Sequence, residues 1–210
     1  MVQKIISKED ALLRAESLLG VSENLLLGVV GKPGVGKSTF TQNMLNVLKS
    51  DRVAVVPMDG FHLSNEELVK VGKREHKGAP DTFDVQAFVE LLQLLKKRDG
   101  REVIFPTFDR ESETSIPGGG RILPSATLVV VEGNYLLHPD DGWEEVKSYF
   151  DETWYLELDE NVRRSRLVDR HIFFGKSPIE AAAWVENSDD KNALLIGASR
   201  TLAGIVVVVD

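Results

Sequence analysis

Three glycines, two lysines and two hydroxyl residues are spaced along Gly31–Lys32–Pro33–Gly34–Val35–Gly36–Lys37–Ser38–Thr39. The spacing is G-x-x-x-x-G-K-[ST], and each residue type can act on a phosphate. Gly31, Gly34 and Gly36 let the backbone curl, so that consecutive N–H groups, that of Val35 among them, point at phosphate oxygens. Lys37 is suited to bridge the β- and γ-phosphates, and the Ser38 hydroxyl to ligate Mg²⁺. Thr39 opens the following helix, whose N-terminus adds partial positive charge at the same spot. An apolar run, Leu25–Val30, precedes the loop, and helix-forming residues 39–49 follow it. That strand–loop–helix context separates a phosphate loop from a chance glycine cluster. The expected ligands are ATP and Mg²⁺, since no Asn-Lys-x-Asp guanine signature is present.

Two carboxylates at strand ends come next. Glu132 follows the apolar run Leu128–Val131, where a carboxylate would lie near Mg²⁺ and its waters. Asp59 follows Val53–Pro57 and could accept the proton of an attacking hydroxyl. On spacing alone the Asp59–Gly60 pair is more often a simple turn. His62 lies three residues beyond Asp59, within reach of a substrate there. Arg163, Arg166 and Arg170 recur at helical spacing on one side of a later helix. Phosphoryl transfer needs positive charge near the γ-phosphate, and these arginines are its candidate source. Trp143, Trp154 and Trp184 read as packing residues rather than a stacking platform.

These residues need a scaffold that brings strand ends together. Apolar runs at 53–57, 102–105, 128–132, 154–158 and 205–209 alternate with helical stretches. One helix starts at Ser7, with a stripe of Leu12, Leu13, Ala15, Leu18 and Leu19, and covers the sheet. Asp84 caps another, running to about Lys97 with Phe88, Leu91, Leu92 and Leu95 on one face. Ser177–Pro178–Ile179–Glu180 starts a third with a capping box. Residues 107–123, with Pro117 and three consecutive glycines, read as a loop or irregular hairpin. The pattern predicts one α/β domain over 1–210, a P-loop NTPase. Its doubly wound, mainly parallel five-stranded sheet carries helices on both faces and a helical lid.

Composition narrows the function classes. A formal charge of −8 disfavours a sequence-independent grip on nucleic acid. The absence of cysteine excludes disulfides and thiolate metal sites. No run reaches membrane-spanning length and no signal-peptide pattern opens the chain, so no membrane partner and a cytoplasmic location are expected. The partner expected is a small hydroxyl-bearing molecule, and the sequence leaves room for a homodimer.

Several motifs then resemble one family. Pro57–Met58–Asp59–Gly60–Phe61–His62, Ala79–Pro80–Asp81–Thr82–Phe83–Asp84, Pro106–Thr107–Phe108–Asp109 and Val131–Glu132–Gly133–Asn134–Tyr135–Leu136–Leu137 occur in its order. They are similar to P-loop small-molecule kinases related to uridine kinase, pantothenate kinase and phosphoribulokinase. The likeness is greatest to a nucleoside/nucleotide or sugar-transport-associated kinase branch. The resemblance implies transfer of the γ-phosphoryl group of ATP to a hydroxyl, with Asp59 as base. It further implies Asp84 as a ligand of substrate hydroxyls, His62 and Arg110 on the substrate side, and Arg166 and Arg170 on a lid. The chain departs from the named members at two places. Asp109–Arg110–Glu111–Ser112 lacks the His-Ser-Arg element of uridine kinases, and Pro106–Thr107 replaces the Ser-His pair of pantothenate kinases. A regulatory P-loop ATPase or GTPase, or a nucleotide-dependent binding module, is the rival reading. Intact Asp59 and Asp84 argue against the binding module.

Overall fold

Strands of almost wholly apolar residues can be buried only in a sheet covered on both faces. Leu25–Val30 and Leu128–Gly133, the latter apolar but for Glu132, are buried along their whole lengths. The computed structural model describes residues 3–210. In chain order it contains β1 (Lys4–Ser7), α1 (Lys8–Leu18), β2 (Leu25–Val30), α2 (Lys37–Leu48) and β3 (Val53–Pro57). A 3₁₀ turn, Met58–Phe61, leads to α3 (Asn65–Lys70) and α4 (Val85–Lys96). Next come β4 (Val103–Asp109), β5 (Thr114–Ile122), β6 (Leu128–Gly133) and β7 (Glu152–Glu157). The chain ends with α5 (Glu160–Phe173), α6 (Pro178–Trp184), a π-helical turn (Val185–Asp189), α7 (Asp190–Ala198) and β8 (Ile205–Val208).

The main sheet has the order β1-β8-β7-β2-β6-β3, with every pairing parallel. It therefore holds six strands, not the five expected. The extra one, β1, is a four-residue edge strand mostly exposed to solvent, too short for periodicity to reveal. The apolar run near 103 leaves this sheet altogether. It continues past Pro106 to Asp109 and pairs antiparallel with β5, with a register irregularity between Phe105 and Thr107. Proline is tolerated there because a two-stranded hairpin has an unpaired side.

Alternate residues of the central strands enter two separate cores. Leu26, Val30, Val129, Val131, Tyr155 and Val206 pack with Phe88, Leu92 and Leu95 of α4. Leu25, Leu27, Val29, Val130, Trp154 and Val207 pack with Ala11 and Ala15 of α1 and Phe40 and Met44 of α2. In α1 the buried face is Ala11, Ala15 and Leu18, while Leu13 of the expected stripe is 64% exposed. Trp143 and Trp154 are fully buried, as packing residues should be. Trp184 instead lines an open cleft of about 840 Å³ between the segment 75–79 and residues 174–192. No helix among the described residues is long and apolar enough to cross a membrane.

Candidate active site

The site forms where the carboxyl ends of β2, β3 and β6 stand side by side, since ligands of open parallel sheets bind there. β2 delivers the phosphate loop at the middle of the sheet. Gly34 and Gly36 take φ of +81° and +95°. A side chain at Gly34 would also strike Leu167, at 2.6 Å, so α5 rests directly on the loop. Gly36 is the N-cap of α2 and no side chain caps that helix, which leaves its first N–H groups facing the loop. Ser38 and Thr39 sit exposed on the first turn.

Lys37 folds back over the loop. Its Nζ donates to the Gly31 carbonyl at 2.9 Å and to Asn134 Oδ1 at 2.6 Å. Burial lowers its pKa, Glu132 and Asp59 act to raise it, and Arg170 and Arg110 act to lower it. Those groups come from β6, the turn after β3, α5 and the hairpin tip, so the structure brings together residues far apart in sequence. Ser38 Oγ donates to Glu132 Oε1 at 2.7 Å. Glu132 is 5% exposed. Burial first, and Asp59 second, raise its pKa, against the pull of Lys37 and Ser38. Pro57 of β3 lies opposite Glu132 in register, so the two strand ends are level and Asp59 follows just beyond.

The hairpin holds the Asp59 turn. A Cβ on Gly60 would fall 2.0 Å from the Pro106 carbonyl oxygen, so only glycine allows the turn to pass this close to β4. Ser115 Oγ donates to the Gly60 carbonyl at 2.6 Å. Arg110, just after β4, donates to Asp59 Oδ2 at 3.0 Å. The His62 ring lies between Phe83 and Phe108, with centroids 4.0 and 4.7 Å away. Its Nδ1 meets the Asp59 carbonyl at 2.8 Å, and burial lowers its pKa. Asp84 is exposed, and one of its oxygens accepts from the Ala87 N–H at 2.9 Å as the N-cap of α4. Its backbone N–H bonds the Phe61 carbonyl at 2.8 Å, which keeps it next to the Asp59 turn.

Three of the four arginines of α5, Arg163, Arg166 and Arg170, have different surroundings. Arg163 is 1% exposed and donates to Asp190 Oδ1 at 2.6 Å and to the Pro33 carbonyl at 3.0 Å. It is a strut between the phosphate loop and α7 rather than a group facing ligand. Arg166 reaches the Asp210 carbonyl at 2.9 Å, and its Nη1 lies 3.7 Å from where a Gly36 Cβ would be. Arg170 makes no side-chain hydrogen bond among the described residues, and burial lowers its pKa against the pull of Asp189. Sequence reasoning gave no role to Asn134, although it stood in a quoted motif. It also missed Tyr135, whose hydroxyl donates to the Gly78 carbonyl at 2.6 Å. The position of Asn134 two residues after Glu132 was the signal that could have found it.

Comparison with known proteins agrees with this geometry. Residues 26–174 match the Phosphoribulokinase / Uridine kinase family. A Schizosaccharomyces pombe protein described as "Putative uridine kinase C227.14" is 33% identical over 193 residues, 88% of this chain and 82% of its own. The pantothenate kinase of Streptococcus pneumoniae serotype 19F is 29% identical over 157 residues, and that match covers 72% of this chain and half of the pantothenate kinase. Among solved structures, a "putative fructose transport system kinase" from Silicibacter sp. TM1040 superposes with a TM-score of 0.87 at 33% identity, covering 96% of this chain and 98% of that one. The chain belongs to the phosphoribulokinase/uridine kinase family and is a P-loop kinase of small molecules.

Proposed function

We propose that the protein transfers the γ-phosphoryl group of ATP to a hydroxyl of a small metabolite, the whole chain acting as one kinase domain. Lys37 leaves Asn134 to bridge the β- and γ-phosphates, and the uncapped N-terminus of α2 receives the phosphate oxygens. Ser38 and Glu132 hold Mg²⁺, directly or through water. A hydroxyl beside a buried carboxylate fits the oxygen donors that this ion prefers. When bound, Mg²⁺ neutralises charge that develops between the β- and γ-phosphates. Asp59 takes the hydroxyl proton as the hydroxyl oxygen bonds to the γ-phosphorus and the bond from phosphorus to the ADP oxygen breaks. Arg166 and Arg170 add positive charge on the other side of the phosphates. Asp84 and Arg110 border the acceptor, and His62 supports the turn that carries Asp59. A nucleoside, a sugar or a short hydroxy acid fits this machinery.

One observation carries the reading. Asp59 acts electrostatically on both Lys37 and Glu132, so the candidate base shares a site with the groups that hold phosphate and metal. The test is Asp59→Asn, which preserves size and removes the base. Transfer to an acceptor should fall by about two to four orders of magnitude while nucleotide affinity changes little. A switch ATPase predicts slow hydrolysis indifferent to Asp59 and no stimulation by any hydroxyl compound. Wild-type transfer by the variant would remove Asp59 from the mechanism.

A further inference from the structure

The cations around Asp59 differ in what already occupies them. Lys37 is held by Gly31 and Asn134 and faces the phosphate loop. Lys77 donates to Asn65 Oδ1 at 2.8 Å and to the Glu113 carbonyl at 2.7 Å. His62 is packed between two rings with its pKa lowered, so it carries no charge at neutral pH. Arg170 belongs to the phosphate side of the reading above. Arg110 stands apart, because only one of its nitrogens is engaged, on Asp59 Oδ2, and its side chain is half exposed. The turn that carries it is fixed. Asp109 accepts from the Glu111 N–H at 3.1 Å and from the Ser112 hydroxyl at 2.6 Å.

A guanidinium has five N–H donors in one plane, and it binds carboxylate or phosphate oxygens along two adjacent donors. With one nitrogen on the base, the remaining donors of Arg110 open beside the place where Asp59 meets a hydroxyl. We propose that Arg110 selects acceptors carrying an anion, a carboxylate or a phosphate, close to the hydroxyl that is phosphorylated. Ordinary hydrogen-bond lengths from one guanidinium place that anion about two to four bonds from the hydroxyl. The acceptor class is then a short hydroxy acid or a small polyol phosphate, and a neutral nucleoside leaves the outer donors of Arg110 unused. This inference rests on the kinase reading above and narrows it.

The experiment compares matched acceptors by ADP release: glycerate against glyceramide, glycerol 3-phosphate against glycerol, and uridine as a larger neutral compound. A charge-assisted hydrogen bond is worth about ten- to a hundredfold in kcat/KM. The wild type should favour the anionic member of one pair by that factor, and the pair that responds tells carboxylate from phosphate. In Arg110→Ala the ratio should collapse to about one, mainly through the KM of the anionic acceptor, and Arg110→Lys should retain part of it. A preference for neutral acceptors overturns the proposal while leaving the kinase reading intact. A ratio unchanged in Arg110→Ala while both rates fall also overturns it, since Arg110 would then only orient Asp59. Phosphorylation of none of these compounds ends the anionic-acceptor inference, and the Asp59→Asn comparison on ATP hydrolysis then decides the kinase reading separately.

Discussion

The Ser38 hydroxyl and Glu132 Oε1 lie 2.7 Å apart, joining the first turn of α2 to the end of β6. Glu132 occupies a position that penalises its charge, since burial and Asp59 both raise its pKa. The folded protein therefore keeps a proton that the unfolded chain has already released. It binds more protons than the unfolded chain, so stability falls as pH rises from the ordinary carboxylate range through the raised value. Glu132→Gln removes that penalty and still accepts from Ser38. Without nucleotide or Mg²⁺, the variant should melt about 2–5 °C higher at neutral pH, with a flatter dependence of Tm on pH, while phosphoryl transfer collapses. Thermal unfolding across pH checks this, and an equal or lower Tm would contradict the assigned cost.

What the sequence disclosed depended on whether the signal was local. The phosphate loop was legible because strand, glycines, lysine and helix are contiguous, and Glu132 because it ends an unbroken apolar run. The Arg110–Asp59 pair, 51 residues apart, depends on a hairpin folding over the turn after β3. No periodicity encodes that contact. Residues 107–123 read as a loop or an irregular hairpin because they contain Pro117 and three glycines, and the structure forms the hairpin, with a register irregularity. A two-stranded hairpin tolerates residues that a central strand would reject. Helical spacing grouped Arg163 with Arg166 and Arg170, but it does not tell which flank of a face meets a neighbouring helix.

That difference among the α5 arginines gives opposite expectations for two alanine variants. Arg163 is buried against Asp190, Glu160 and the Pro33 carbonyl. Removing it takes one partner from each carboxylate, although Lys32 still pairs Glu160 and Arg164 still pairs Asp190. It also leaves the buried Pro33 carbonyl without that donor, so Arg163→Ala should lose about 1–3 kcal/mol of stability. Arg170→Ala should leave denaturant midpoints nearly unchanged. It should lower kcat by about two to three orders of magnitude, with a smaller rise in KM for ATP, because charge develops chiefly in the transition state. A rise in KM alone would make Arg170 a ground-state binder. Urea melts with steady-state kinetics on both variants separate strut from catalyst.

His62 is hydrogen-bonded to the turn that carries Asp59. Its ring is held between Phe83 and Phe108, and Nδ1 lies 2.8 Å from the Asp59 carbonyl, so the neutral tautomer donates there. Burial lowers its pKa first, Asp59 draws it back, and Lys77 and Arg110 push it down. The unfolded chain takes up a proton near the ordinary histidine value while the folded protein does not. Stability is thus complete above that value and is lost as pH falls from it toward the lowered one. His62→Phe keeps a ring in the stack but removes the titration and the hydrogen bond. The fall in stability between about pH 6.5 and 5 should flatten in this variant. At neutral pH, loss of one buried hydrogen bond to the Asp59 segment should lower kcat by about tenfold, with the KM for the acceptor little changed. The KM decides between two roles for this histidine. A ring that touches the acceptor would raise it on replacement, whereas a ring that acts through the Asp59 backbone lowers kcat alone. Measuring both constants at pH 7.5, beside urea melts from pH 5 to 8, distinguishes them. A large rise in acceptor KM at constant kcat would move His62 from the support of the base to the wall of the acceptor site.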